Sequence, residues 1–179
     1  EGVSVNTALN DNPVLTLASG SGQTETVKYL IDKGAEMNKK NGWDKTSLMI
    51  AAEKGHMEII KHLTAKGAGI NVRTPKGNTA LMLALREGQT EAAVFLIKQG
   101  ANTNIKNRIG GDALIDTINN REKFKEPMKM VNLLINKGAN LNDALESASS
   151  EGAFDIVKRL IAKGANPNSR NKNGYTPLM

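Results

Sequence analysis

Apolar residues recur at helical spacing in short segments of the chain, and a glycine closes each segment. Residues 46–55 begin at Thr46, a good helix N-cap, and end at Gly55. Residues 56–66 follow directly and stop before Gly67. This pattern predicts a pair of short helices whose apolar faces cannot be buried within the pair, so neighbouring pairs must stack. The apolar positions of the pair are Leu48, Ala51, Ala52, Ile59, Ile60 and Leu63.

The helix pair repeats along the chain. The dipeptide Gly-Ala recurs after 33, 33, 38 and 26 residues, and further second-helix patterns occupy residues 24–33 and 89–99. A second glycine keeps the same period, and an asparagine follows each Gly-Ala. Three markers in one frame indicate a repeat protein rather than a single deep core. The Gly-Ala copies begin at Gly34, Gly67, Gly100, Gly138 and Gly164; the second glycine is Gly22, Gly55, Gly88 and Gly152; the asparagines are Asn38, Asn71, Asn104, Asn142 and Asn168.

Residues 46–52 have the sequence Thr-Ser-Leu-Met-Ile-Ala-Ala, and Gly55-His56 follows shortly after them. Residues 79–85 and 171–178 have related sequences. With the period and the Gly-Ala ending, this pattern resembles the ankyrin repeat along nearly the whole chain. The resemblance implies an all-α, right-stacked solenoid of helix-turn-helix repeats with β-hairpin finger loops, with about five full repeats and a partial sixth. We expect one domain over residues 1–179, with units at about 6–38, 39–71, 72–104, 105–142, 143–168 and 169–179.

Two units depart from the repeat pattern. In the fourth unit, residues 121–126 lengthen the connection between the helices, and Pro127 suits the first turn of the second helix. We expect Phe124 in this insert to be buried against its own repeat rather than to form a second contact. In the fifth unit, seven residues are missing before Leu145, which removes the finger. The first unit is also weak, and the residues upstream of it could be a cap or the end of an earlier repeat.

Composition narrows the class of protein. The chain is 39% hydrophobic but only 3% aromatic, which favours a shallow aliphatic core. No apolar run is long enough for a transmembrane helix, and the absence of cysteine excludes disulfides and cysteine metal sites. Because the chain starts at Glu1 without a methionine and stops abruptly at Met179, we expect it to be a piece of something longer. The compartment stays open between cytoplasmic and exported, and we expect a monomer.

No pattern in the sequence points to catalysis, a metal or a cofactor. His56 and His62 are six residues apart, so they do not share a helix face as an i, i+4 metal pair would, and we expect both to be structural. Asp112 and Asp116 could be paired carboxylates, but Asp112 fits a helix N-cap. Asp116 could instead pair with Arg121 or with Lys123. A phosphate loop and an activated serine are also lacking, and the methionines mostly occupy core-type positions.

The net charge of +6 has two sources. Lysines in the last turn of each second helix complement the negative end of the helix dipole and say little about function. The fingers face solvent and carry further basic residues, with Asp44 as their only acidic residue. Stacked in register, the fingers would form a basic strip with apolar anchors. The candidate partner-binding residues are Lys40, Trp43, Lys45, Arg73, Lys76, Lys106, Arg108, Ile109, Arg170, Lys172 and Tyr175.

The resemblance implies a protein-interaction module that binds a folded partner through its finger tips and concave helix face. The basic strip favours an acidic partner protein, with Trp43 as the first choice of anchor. A basic composition alone could equally produce basic fingers. A nucleic acid or another polyanionic surface is the alternative partner, although the chain lacks an aromatic stacking platform and a recognition helix.

Overall fold

The computed structural model describes residues 5–9, 11–169 and 176–177. Near its start the chain forms a short antiparallel hairpin, in which Ala8 of β1 (Ala8–Leu9) lies opposite Pro13 of β2 (Asn12–Pro13). A 3-10 helix covers Arg121–Lys123. The α-helices of the described residues are α1 (Val14–Gly20), α2 (Thr24–Asp32), α3 (Ser47–Lys54), α4 (Met57–Ala65), α5 (Ala80–Arg86), α6 (Thr90–Lys98), α7 (Ala113–Asn119), α8 (Pro127–Asn136), α9 (Leu141–Ser150) and α10 (Phe154–Ala162).

The chain divides into two compact units, residues 1–102 and 103–179. In the first unit, α1, α3 and α5 pack side by side as an inner row, and α2, α4 and α6 pack behind them. The core between the rows is aliphatic, as the scarcity of aromatic residues predicts. Met49 and Met82 are buried in it, whereas Met57 is only half-buried. The fully buried large side chains of this unit are Leu15, Leu48, Met49, Ile59, Ile60, Leu63, Leu81, Met82, Leu85 and Leu96.

The predicted helix boundaries are confirmed in the first unit. The Thr46 hydroxyl accepts a hydrogen bond of 3.3 Å from the backbone N–H of Met49, and Thr79 caps α5 in the same way. Gly55 ends α3 with a φ of 74°, a left-handed conformation that glycine adopts without strain. The threonine caps and this glycine therefore set the limits of the inner helices.

The asparagine that follows each Gly-Ala joins neighbouring repeats. The side-chain oxygen of Asn38 accepts from the N–H of Gly69 at 2.8 Å, and that of Asn71 accepts from the N–H of Asn102 at 2.9 Å. In the second unit, Asn142 accepts from the next repeat in the same way. Each bond crosses from one repeat to the next, so it satisfies a backbone group and fixes the spacing of the stack.

The structural role predicted for His56 is confirmed. Its Nε2 lies 3.2 Å from the carbonyl oxygen of Gly20 in the preceding repeat. A Cβ atom at Gly22 would lie 3.0 Å from the imidazole ring, so the second glycine marker leaves room for this contact. The ring therefore ties one helix pair to the previous one.

In the second unit, α7 packs against both α8 and α9, and α9 packs against α10. The insert predicted at 121–126 contains the 3-10 helix, and Phe124 is buried at 6% exposure, as predicted. The Arg121 guanidinium donates to the carbonyl oxygens of Ile118 and Glu151. The insert therefore packs on its own unit.

The loss of the finger in the fifth repeat is also confirmed. Helix α9 begins at Leu141, three residues after Gly138, whereas α7 begins thirteen residues after Gly100. The side chain of Asn140 caps α9 by accepting from two backbone N–H groups of its first turn. Pro127 is the first residue of α8, as predicted.

Asp112 is the N-cap of α7, as predicted, because its carboxylate accepts from the N–H groups of Leu114 and Ile115, both at 3.0 Å. The side chain is completely buried. Burial raises the pKa of Asp112 above its ordinary value, against the opposing effects of the two backbone hydrogen bonds and of Lys106, and the nearby Asp143 adds to the rise. Folding therefore favours the protonated form of this carboxyl group.

The raised pKa predicts how Asp112→Thr changes stability with pH. Threonine caps α3 and α5, so at pH 7 the variant should lie within about 1 kcal/mol of the native protein. As the pH falls from neutral toward 4, the native protein takes up a proton at Asp112 more readily when folded, and it should therefore gain stability relative to the variant. Urea denaturation at several pH values measures the difference. Thr79→Ser adds no ionisable group and should differ from the native protein by a constant amount; a constant difference for Asp112→Thr would contradict the prediction.

Candidate partner-binding surface

The tips of the first and third fingers are closed turns. In the first finger (residues 40–45), the side-chain oxygen of Asn41 accepts from the N–H groups of Trp43 and Lys45, both at 3.0 Å. Asn107 makes equivalent bonds in the third finger (residues 106–111). Both asparagine side chains are buried, and such short polar side chains can stand in for backbone partners in a turn. The asparagines therefore hold these two tips in one conformation.

The repeat places Trp43, Lys76 and Ile109 at the same position of successive fingers, with Lys76 in the second finger (residues 73–78). All three side chains are exposed, Trp43 at 72% and Ile109 at 89%. Large apolar side chains held in solvent by a rigid turn are suited to contact another molecule.

Carboxylates of the protein itself offset part of the predicted basic charge. The Lys45 ammonium lies 2.6 Å from the carboxylate of Glu53 on α3, and both side chains are half-buried. Lys106 forms an ion pair with Asp143 on α9. The sequence could not predict these pairs, because both carboxylates lie outside the fingers, at spacings with no regular pattern. The steering charge expected of the two lysines is therefore reduced.

The other predicted cations of the described fingers remain at the surface. The Lys40 ammonium donates to the carbonyl oxygen of Arg73 at 2.9 Å, which links the first two fingers. Lys76 and Arg108 are exposed and have no ion-pair partner within the described residues. These two side chains therefore carry the charge most available to a partner.

The first two fingers enclose a cleft of about 440 Å³, which we call the finger cleft. Trp43 and Pro75 supply apolar surface, and the buried side chain of Leu83 from α5 contributes to the lining. Lys45 and Lys76 add two cations, and Asp44 adds one carboxylate. The sequence pattern did not predict a role for Pro75 or Leu83, which lie 32 and 40 residues after Trp43, on the second finger and on α5. The complete lining is Trp43, Asp44, Lys45, Thr74, Pro75, Lys76, Asn78 and Leu83.

The candidates beyond the first two fingers lie in the second unit or outside the described residues. Lys106, Arg108 and Ile109 belong to the third finger, in the second unit. Arg170, Lys172 and Tyr175 lie outside the described residues. The basic strip as a whole therefore stays a prediction, and the described surface of the first unit is the finger cleft.

Asp44 occupies a backbone position that the other two fingers give to glycine. Its φ is 59°, and the equivalent Gly77 and Gly110 have φ values of 84° and 87°. A left-handed conformation costs an L-residue roughly 1–2 kcal/mol, and the greater freedom of unfolded glycine returns roughly 0.5–1 kcal/mol of that. Asp44→Gly should therefore raise the free energy of unfolding by about 0.5 kcal/mol or slightly more, measured by urea denaturation. Asp44→Ala removes the same charge but keeps the unfavourable φ, so equal gains in both variants would contradict the explanation.

A second groove, of about 670 Å³, lies at the start of the first unit. Leu9 and Tyr29 line it and are exposed at 64% and 63%, and Lys33 lies 5.6 Å from the Tyr29 ring. The sequence did not predict this groove, because the pattern of the first repeat is weak. Tyr29 lies on α2 and Lys33 at its C-terminal end, so the groove belongs to a helix and not to a finger tip.

No set of three metal-ligating carboxylates or histidines comes together within the described residues. Asp112 is occupied as a helix cap, and Asp116 is buried in α7. None of the helices in the described part of the chain combines the length and apolar character needed to cross a membrane.

Comparisons with known proteins agree with the repeat pattern. Two family models, both described as ankyrin repeats, match residues 4–107 and 145–179. Among solved structures, the crystal structure of the ankyrin repeat domain of Bcl-3, described as a unique member of the IkappaB protein family, has a TM-score of 0.86 and 26% identity. That match covers 98% of this chain and 80% of the other. No curated protein matches the chain in sequence. Because 517 chains of solved structure match this one, the fold alone does not identify a partner.

Proposed function

The chain belongs to the ankyrin repeat family, and from this we propose that residues 1–179 act as one domain that binds an acidic partner protein through its finger tips and concave helix face. Ankyrin repeat domains are typically non-catalytic binding modules, generally for other proteins. The observation that carries the proposal is Trp43, an exposed aromatic side chain fixed on a rigid turn beside the available cation of Lys76. A surface already held in its binding conformation loses little entropy when the partner docks.

The same observations favour a protein over a polyanion. The pairing of Lys45 with Glu53 and of Lys106 with Asp143 leaves fewer cations to contact phosphates. Contacts with a nucleic acid backbone depend on several unpaired cations and weaken steeply with salt. The exposed apolar side chains of Trp43 and Ile109 would add nothing to such contacts unless bases stacked on them.

A capture experiment from the source extract tests the proposal. The native domain is compared with a variant carrying Lys76→Glu and Arg108→Glu, because these two side chains are exposed and their replacement breaks no ion pair of the described residues. Lys98→Glu, which reverses an exposed charge on α6, is the matched control. We expect a discrete protein to be retained by the native domain and the control and lost by the double variant. Retention of nucleic acid alone, removed by moderate salt, would replace the proposal by the polyanion alternative.

A further inference from the structure

The finger cleft has the size of a site for a short segment rather than for a folded domain. Its volume of about 440 Å³ falls within the range of roughly 300–1,000 Å³ that is usual for small-ligand sites. The cleft opens between two finger tips, on the surface that the proposed function assigns to the partner protein. A protruding segment of that protein could enter it while the rest of the partner covers the neighbouring tips.

The lining of the cleft specifies what such a segment must carry. Trp43 and Pro75 present apolar rings, and Leu83 adds an aliphatic side chain from the inner helix row. An apolar side chain placed among these three would bury surface on several sides at once. A purely polar segment would leave the same surface in contact with water.

The charges of the cleft select the residues beside that apolar side chain. The Lys45 ammonium is already held by Glu53, whereas Lys76 has no ion-pair partner within the described residues. Lys40 and Arg73 lie next to the cleft in the same two fingers, and Asp44 is the one carboxylate of its lining. The positive excess favours carboxylates on the incoming segment and disfavours cations there.

We propose that the finger cleft binds an extended acidic segment of the partner protein, with one apolar side chain between Trp43 and Pro75 and a neighbouring carboxylate on Lys76. The inference rests on the proposed function, which it makes specific. The two fingers then have different roles. The first supplies the rigid aromatic surface, and the second supplies the proline and the cation that pairs with the carboxylate beside the apolar side chain.

The protein contains its own reporter for this site, because Trp43 is the only tryptophan in the chain. Nine-residue peptides of glycine and serine, with a central leucine flanked by glutamates, are titrated into the full chain while tryptophan emission is followed. We expect a shift of the emission to shorter wavelengths, since the indole leaves water. Peptides with lysine flanks, or with glycine in place of the leucine, should bind at least about tenfold more weakly, a difference of about 1.4 kcal/mol.

Charge reversal at the second finger provides the decisive comparison. Lys76→Glu should weaken the glutamate-flanked peptide at least about tenfold and improve the lysine-flanked one, while Lys98→Glu should leave both unchanged. Circular dichroism confirms that each variant is folded. The inference would be overturned if Lys76→Glu bound the glutamate-flanked peptide as tightly as the native protein. It would also be overturned if the peptide caused no emission change in the native protein at concentrations up to about 1 mM. If acetyl-leucine amide bound as tightly as the peptide, the cleft would be a small-molecule site, and this result would also overturn the inference.

The capture experiment separates failure of this inference from failure of the proposed function. If the native domain retains a discrete protein and the peptides do not bind, the domain is a protein-binding module whose partner uses other finger or helix surfaces. If the peptides bind as expected and no protein is retained from the extract, the cleft has the specificity inferred here and the proposed partner role fails.

Discussion

Leu48→Ala is expected to lower the free energy of unfolding by about 3–4 kcal/mol. Leu48 is 1% exposed and lies on α3, which packs against α1, α4 and α5 at once. Truncation removes buried methyl groups and leaves a cavity that four helices cannot easily close. Since domains of this size are stable by only about 5–15 kcal/mol, urea denaturation followed by circular dichroism should show a clear loss.

The expected size of this effect depends on burial and not on the leucine itself. Leu17 lies on α1 in the same unit and is exposed at 39%. Leu17→Ala should therefore cost much less, about 1 kcal/mol, because the side chain is already partly in water and its truncation leaves no closed cavity. Equal losses in the two variants would mean that helix stacking in this unit does not depend on the packing of α3.

The shallow core explains why one inner helix matters so much. In a repeat stack, each helix pair is stabilised mainly by its immediate neighbours, so no distant part of the core compensates for a weakened pair. Helix α3 is the middle member of the inner row in the first unit. Weakening it therefore removes interfaces on both sides.

The helices and their limits could be predicted from the sequence because their signals are local. Thr46 and Gly55 stand at the two ends of α3, and Pro127 begins α8, as the capping rules require. Gly-Ala and the second glycine set the period. The sequence also shows the recurring asparagine, but it does not predict the role of that residue, because the side chain of Asn38 bonds to Gly69 in the next repeat.

The candidate site could be predicted only in part, because its geometry depends on residues far apart in sequence. The repeat register correctly placed Trp43 at an exposed finger position. It could not show that Lys45 turns back toward Glu53 on α3, or that Lys106 meets Asp143. The latter pair exists because the fifth repeat has lost its finger and α9 begins early. Counting basic residues therefore overestimated the charge available to a partner.

Trp43→Ala is the second change for which we expect a large effect, this time on binding. The affinity for the partner protein should fall by about 30-fold or more, which corresponds to about 2 kcal/mol, because the indole would supply most of the apolar contact of the first finger. The free energy of unfolding should change by no more than about 0.5 kcal/mol, since the side chain is 72% exposed. Equilibrium binding to the captured partner and urea denaturation measure the two quantities.

The separation of the two effects is what identifies Trp43 as an anchor. The turn that carries it is held by the side-chain oxygen of Asn41, which accepts from two backbone N–H groups, so truncation at Trp43 leaves the finger in place. Ile109→Ala, at the same position of the third finger, is the matched control, and a partner seated on the finger cleft should tolerate it better than Trp43→Ala. Unchanged affinity for Trp43→Ala would remove the anchor role, while a loss of equal size in both variants would mean that the partner contacts the tips of both fingers with similar energy.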